Sequence, residues 1–197
     1  MHRKHSYWLI LTLLLVHSCK SNNNPTTSSV IITDTANYFD LNSYLKAQIN
    51  EVLETPYYIY KITNSNNQQD SVPLSKTDFA SWSKILLTNS INDSINRQYY
   101  KETSFGNYAN NTITLSYTCT NNALPVQQIS IIIGEESKQV QRVFINAWQK
   151  NEEEDCEIKM GLKANESIMI NKTITKKNGE IYKALNIIVW NKATANL

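Results

Sequence analysis

From residue 112 onward, apolar residues recur at every second position, and only short polar turns interrupt the pattern. Ile113, Leu115, Tyr117 and Cys119 alternate with Thr112, Thr114, Ser116 and Thr118. Ile129, Ile131 and Ile133 repeat the spacing after Asn121-Asn122, and so do Cys156, Ile158, Met160 and Leu162 against Glu157, Lys159, Gly161 and Lys163. Side chains of a strand point alternately to opposite faces, so this pattern predicts strands with one buried face. Val140 to Trp148 reads as a strand with apolar groups on both faces. Ser167 to Thr175 and Ile181 to Trp190 flank Asn178-Gly179, the preferred pair of a type I′ hairpin turn. Turns this short allow only antiparallel neighbours, so the pattern predicts a meander.

The segment before it has a different period. Leu41, Tyr44, Leu45, Ile49, Val52 and Leu53 form one apolar stripe of a helix, with Asp40 placed to cap it and Thr55-Pro56 to end it. Tyr57 to Ile62 reads as a strand, Asn64 to Asp70 as a polar loop, and Val72-Pro73-Leu74 as the start of a return strand. A second helix is predicted from Thr77 or Asp78 to about Asn89, with Phe79, Trp82, Ile85 and Leu86 on one side. The expected fold class is α+β: a curved antiparallel meander of about six to eight strands with two helices on one face. An incompletely closed barrel is the variant of this reading. One domain over residues 37–197 is expected, since a chain of 197 residues suits a single core.

Residues 1–18 carry Arg3 and Lys4, then a short apolar run from Trp8 to Val16. This is the plan of a secretory signal and too short to span a bilayer. Val16-His17-Ser18-Cys19 resembles the lipobox of bacterial lipoproteins, with His17 departing from the usual pattern. The resemblance implies that Cys19 becomes the first mature residue and carries acyl chains. More than one chain gives stable anchoring, each buried CH₂ contributing about 0.8 kcal/mol. Lys20, rather than Asp, follows the cysteine. That implies delivery to the outer membrane, facing the periplasm. Residues 19–36 include the polar tract 20–29, a tether of roughly 16–19 Å mean span.

Cleavage would change the composition. Arg3, Lys4 and all three histidines (His2, His5 and His17) lie in residues 1–18, leaving seventeen cations, seventeen acids and no histidine. Ser-His-Asp and Cys-His catalysis, His-containing zinc sites and proximal-His haem ligation are then ruled out. A neutral chain gives no electrostatic reason to bind nucleic acid. Ser81-Trp82-Ser83-Lys84 and Ser43-Tyr44-Leu45-Lys46 both match the S-x-x-K of penicillin-binding proteins, but no K-T-G follows. The acidic run Glu152 to Glu157 lacks the glycine bend of a calcium loop and reads as a solvated turn. No catalytic residue, metal ligand or cofactor is nominated.

Cys119 and Cys156 share the apolar parity of their strands. A disulfide between them would contribute roughly 4 kcal/mol in the chain-entropy model, against the alternative of two buried thiols. Asp34-Thr35-Ala36, Asp70-Ser71-Val72 and Asp93-Ser94-Ile95 resemble the acceptor motif of a bacterial envelope O-glycosylation system. That resemblance implies glycans on Thr35, Ser71 and Ser94, all in expected linker or loop. Tyr57, Tyr58, Tyr60, Trp82, Trp148 and Trp190 are candidates to line a groove or sugar platform, with core packing the alternative. The expected function is a non-catalytic, membrane-anchored envelope lipoprotein that binds an envelope protein or glycan, or serves structurally. The alternative is a periplasmic carrier of lipid or another hydrophobic ligand, motivated by strand 140–148. A carboxylate-pair hydrolase lacks a nominated pair.

Overall fold

The computed structural model describes residues 38–190, apart from 66, 67, 89, 90, 92 and 93. The signal segment, Cys19, the tether and Thr35 lie outside the described residues. In chain order the elements are α1 (Leu41–Glu54), β1 (Tyr60–Ser65), β2 (Gln68–Pro73), α2 (Lys76–Leu87), α3 (Ser94–Arg97), β3 (Tyr100–Asn107), β4 (Thr112–Cys119), β5 (Val126–Gly134), β6 (Val140–Lys150), β7 (Glu154–Lys163), β8 (Ser167–Lys176) and β9 (Ile181–Val189). The strands form one sheet in the order β2-β1-β9-β8-β7-β6-β5-β4-β3, antiparallel throughout. β3 to β9 is the expected meander, and the β1–β2 hairpin extends it beyond β9. The sheet is open, with β2 and β3 at its edges.

Nine strands replace the expected six to eight. β3 was not read, because along it Tyr100 alone is buried. The expected polar loop 64–70 is mostly sheet, since β1 runs to Ser65 and β2 starts at Gln68. All six residues of β2 are exposed, so it carries no apolar alternation.

The helices pack on one face. Leu41, Leu45, Ile49 and Val52 of α1 and Phe79 and Leu86 of α2 share a core with one parity of the sheet, including Ile129, Ile131, Val143, Ile145, Met160 and Ile170. α1 begins as expected: the Asp40 carboxylate accepts from the Ser43 N–H at 3.1 Å, satisfying an orphan donor. α2 is capped by Ser75, not Thr77 or Asp78; Ser75 Oγ accepts from the Asp78 N–H at 3.1 Å. The Lys76 ammonium donates to the Leu53 carbonyl and ties the two helices together.

An aromatic clasp fixes the entry to α1. Tyr38 and Tyr117 stack with centroids 5.2 Å apart, and the Phe39 N–H donates to the Tyr117 hydroxyl at 3.1 Å. The Tyr38 hydroxyl donates to the Tyr100 carbonyl at 2.6 Å, and the Arg97 guanidinium lies 4.8 Å over its ring. Burial pushes the Tyr117 hydroxyl up to about 12, so it stays protonated and neutral inside the sheet.

At the β8–β9 turn, Gly179 alone has a left-handed φ, of 88°. A type I′ turn needs positive φ at both central residues. The chain instead makes a turn closed by the Gly179 N–H to the Lys176 carbonyl at 2.9 Å, and the Lys176 N–H to the Glu180 carbonyl at 2.9 Å resumes the strand pair. Asn178 spends its side chain on the Glu180 N–H at 3.0 Å.

Cys119 and Cys156 are both buried and both free. The disulfide is therefore absent. β5 and β6 lie between their strands, so three strand spacings, about 14 Å along the sheet, separate them. A bridge needs Cα atoms within about 7 Å. Equal parity put both thiols on the core face without making them neighbours. Cys119 Sγ donates to the Asn121 carbonyl at 3.2 Å, and burial raises the Cys156 thiol above its ordinary value. A thiol-reactive dye is expected to miss both cysteines in the native protein and to react with both after unfolding without reductant. A protein that releases neither on unfolding would restore the bridge.

Candidate functional site

The face of the sheet opposite the helices is uncovered among the described residues, and register decides what it presents. Residues paired in register across all nine strands form transverse rows. One row reads Lys101, Thr118, Gln128, Asn146, Lys159, Asn171, Leu185, Asn64 and Gln69. Five of its nine members are carboxamides and none is a carboxylate.

The rows beside it differ. On one side run Phe144, Gly161, Met169, Ile187 and Ile62, an apolar wall across five strands. Gly161 sits between Phe144 and Met169, and a Cβ there would meet Met169 Cε at 3.4 Å and the Phe144 ring at 3.6 Å. The ring and the thioether thus close over the missing side chain. On the other side, Trp148 is 38% exposed, two residues from Asn146 on the same face. Strand β6 therefore displays Phe144, Asn146 and Trp148 in line, while Val143, Ile145 and Ala147 point to the core. The expectation of apolar groups on both faces of this strand holds. The second face is open instead of packed.

Two hollows open on the carboxamide row. One, of about 300 Å³, is lined by Gln128, Ser130, Phe144, Asn146, Lys159 and Met169 among others. The second, of about 400 Å³, lies towards the β1–β2 edge among Asn64, Gln68, Gln69, Asn171, Lys183 and Leu185. Asn146 Oδ1 is buried at the first hollow with no hydrogen-bond partner. Leaving a buried acceptor unmet costs about 1–3 kcal/mol, which a bound donor would recover. The Lys159 ammonium is held by Glu157 at 2.9 Å, so the hollow is nearly neutral.

A third hollow of about 470 Å³, beside α1, includes Phe39, Tyr44, Gln48 and Asn165. Its polar groups are partly used: Gln48 Oε1 accepts from the Asn165 N–H at 3.0 Å, and Tyr44 packs edge-on to Phe39. Burial first, then the Glu51 carboxylate, holds the Tyr44 hydroxyl at about 12.

The six aromatics named from sequence do not converge. Trp190 is core, edge-on to Phe79 with centroids 5.6 Å apart. Trp82 lies under the Lys61 ammonium on the helix side. Tyr57 is half-buried beside Glu51, and Tyr58 is exposed. Tyr60 and Trp148 share the open face but stand on distant strands. Phe144 was missed as a site residue, although its place in strand 140–148 carried the signal.

The remaining motifs fall as follows. The S-x-x-K matches lie on helices, where Ser81 Oγ donates back to the Thr77 carbonyl and Ser83 Oγ to that of Ala80, both at 3.1 Å. Of the acidic run only Glu152 and Glu153 lie in the β6–β7 turn, and Glu154 to Glu157 begin β7 instead of the expected turn; Asn151 Oδ1 accepts from the Glu153 and Glu154 N–H groups. Among the described residues no group of three His, Cys, Asp or Glu is placed to hold a metal. Ser71 is exposed on edge strand β2 and Ser94 opens α3, so neither lies in the loop expected for it. Between the helices and the sheet, Leu45, Ile49, Phe79, Leu86, Leu162, Ile168 and Trp190 leave no water-sized void. That packing gives no support to the carrier alternative.

No family model, curated protein or solved structure matches the chain.

Proposed function

We propose that this protein is a membrane-anchored lipoprotein of the bacterial envelope with a non-catalytic binding role exercised by the helix-free face of its sheet. The lipid would sit on Cys19, with the domain held off the periplasmic side of the outer membrane by the polar tether. The observation that carries the binding role is the open face itself: two hollows on one carboxamide row, the first lined by Phe144 and Met169, with Trp148 exposed two residues along β6 from Asn146. Uncovered aromatic and thioether side chains around polar groups are a recurrent mark of recognition surfaces.

Metabolic labelling with an alkyne-bearing palmitate tests the anchor. The native protein is expected to take the label and stay with membranes; Cys19→Ser is expected to lose the label and become soluble. Equal labelling of both would overturn the anchor. The soluble Cys19→Ser protein then tests the binding role. It is expected to cosediment with washed envelope fragments, and Phe144→Ala with Trp148→Ala to release it. Failure to sediment would overturn the binding reading.

A further inference from the structure

We infer that the carboxamide row is a binding track for a glycan chain lying across the strands. This rests on the binding role proposed above and names its ligand class. Each carboxamide carries a donor and an acceptor side by side, the pattern that matches neighbouring sugar hydroxyls, each of which both donates and accepts. A sugar ring also has an apolar C–H face, and a flat aromatic or thioether wall buries it. The open face supplies both halves in parallel. Gln128, Asn146, Asn171, Asn64 and Gln69 form the polar line, with the row of Phe144 and Met169 one step along the strands beside it. Rows two residues apart stand about 7 Å from one another, so one ring can reach both.

Two further observations fit this ligand. The unmet Asn146 Oδ1 needs a donor, which a hydroxyl provides and an apolar lipid does not. Between Gln128 and Gln69 the row holds no carboxylate, and its ammonium, Lys159, is already paired with Glu157, so the first hollow offers no free charge, while Lys183 borders the second. A neutral, hydroxyl-rich chain is the ligand that loses least on desolvation there. The track from Gln128 to Gln69 crosses six strand spacings, about 29 Å, and joins the two hollows. That length suits several linked sugars in place of one.

The test uses washed envelope fragments in three forms: untreated, protease-digested and periodate-oxidised, the last cleaving vicinal diols. Full-length protein in detergent micelles is expected to bind the first two alike and to lose the third. Asn146→Leu, and separately Asn64→Ala with Gln69→Ala, are expected to weaken binding at least about tenfold, since each removes hydrogen bonds at one end of the track. Unchanged melting temperatures would show that the fold is intact. Binding lost to protease and kept after periodate would overturn the glycan while leaving a protein-binding role standing. Binding to none of the three would overturn both. If the variants at Asn64 and Gln69 bound normally while Asn146→Leu did not, the ligand would be a single sugar and the track would fall.

Discussion

Trp190→Ala is expected to cost about 3–5 kcal/mol of folding free energy, a large part of the total for a domain of this size. Trp190 follows β9 directly and is 2% exposed. Its ring meets Phe79 of α2 edge-on, and its N–H donates to the Glu166 carbonyl at 3.0 Å, pinning the β7–β8 turn. The seam it fills, between Leu45 and Ile49 of α1, Leu86 of α2 and Ile168 of β8, has no spare space. Alanine keeps the backbone hydrogen bond but leaves a cavity that two helices and a continuous sheet cannot collapse into. Urea unfolding followed by circular dichroism should show a much lower midpoint with an unchanged slope. A midpoint within the error of the native one would mean that the seam is looser than described.

Ile131→Asp and Ile132→Asp are expected to give opposite results although they are the same substitution at adjacent positions. Ile131 is fully buried on the helix side of β5. A carboxylate there has no partner, and removing it from water costs several kcal/mol, enough to prevent folding. Ile132 points to the open face, opposite Arg142 on β6. An aspartate there would stay hydrated and gain a cross-strand pair contributing about 0.2–1 kcal/mol. Soluble yield and melting temperature of the two variants measure the difference. Equal damage from both would mean that the outer face is covered.

The central strands and α1 were legible because they bury one face against the same core. Cys156, Ile158, Met160 and Leu162 all point inward from β7 as their parity required. The Leu41–Leu45–Ile49–Val52 stripe of α1 likewise covers the sheet. The edge strands were not legible. β2 buries nothing and β3 only Tyr100, so no selection for apolar alternation acts on them; backbone pairing to one neighbour holds them. The cysteine pair shows the same limit. Parity told which face each thiol takes, and strand order set their distance.

By itself the chain determined the elements that hydrophobic burial dictates locally, the helix cap at Asp40, and the apolar membership of the core. It also determined which chemistries residues 19–197 lack, because a segment without histidine cannot form the common triads or imidazole sites. Tertiary structure alone decided the sheet order, and with it every transverse neighbour. Gln128, Asn146, Lys159, Asn171, Asn64 and Gln69 are scattered over residues 64 to 171 and share no spacing along the chain. They become one row because β1 pairs with β9, at the far end of a meander that begins at Tyr100. Periodicity reports the direction in which a side chain points. What stands beside it on the next strand is fixed by register, a property of pairs of segments.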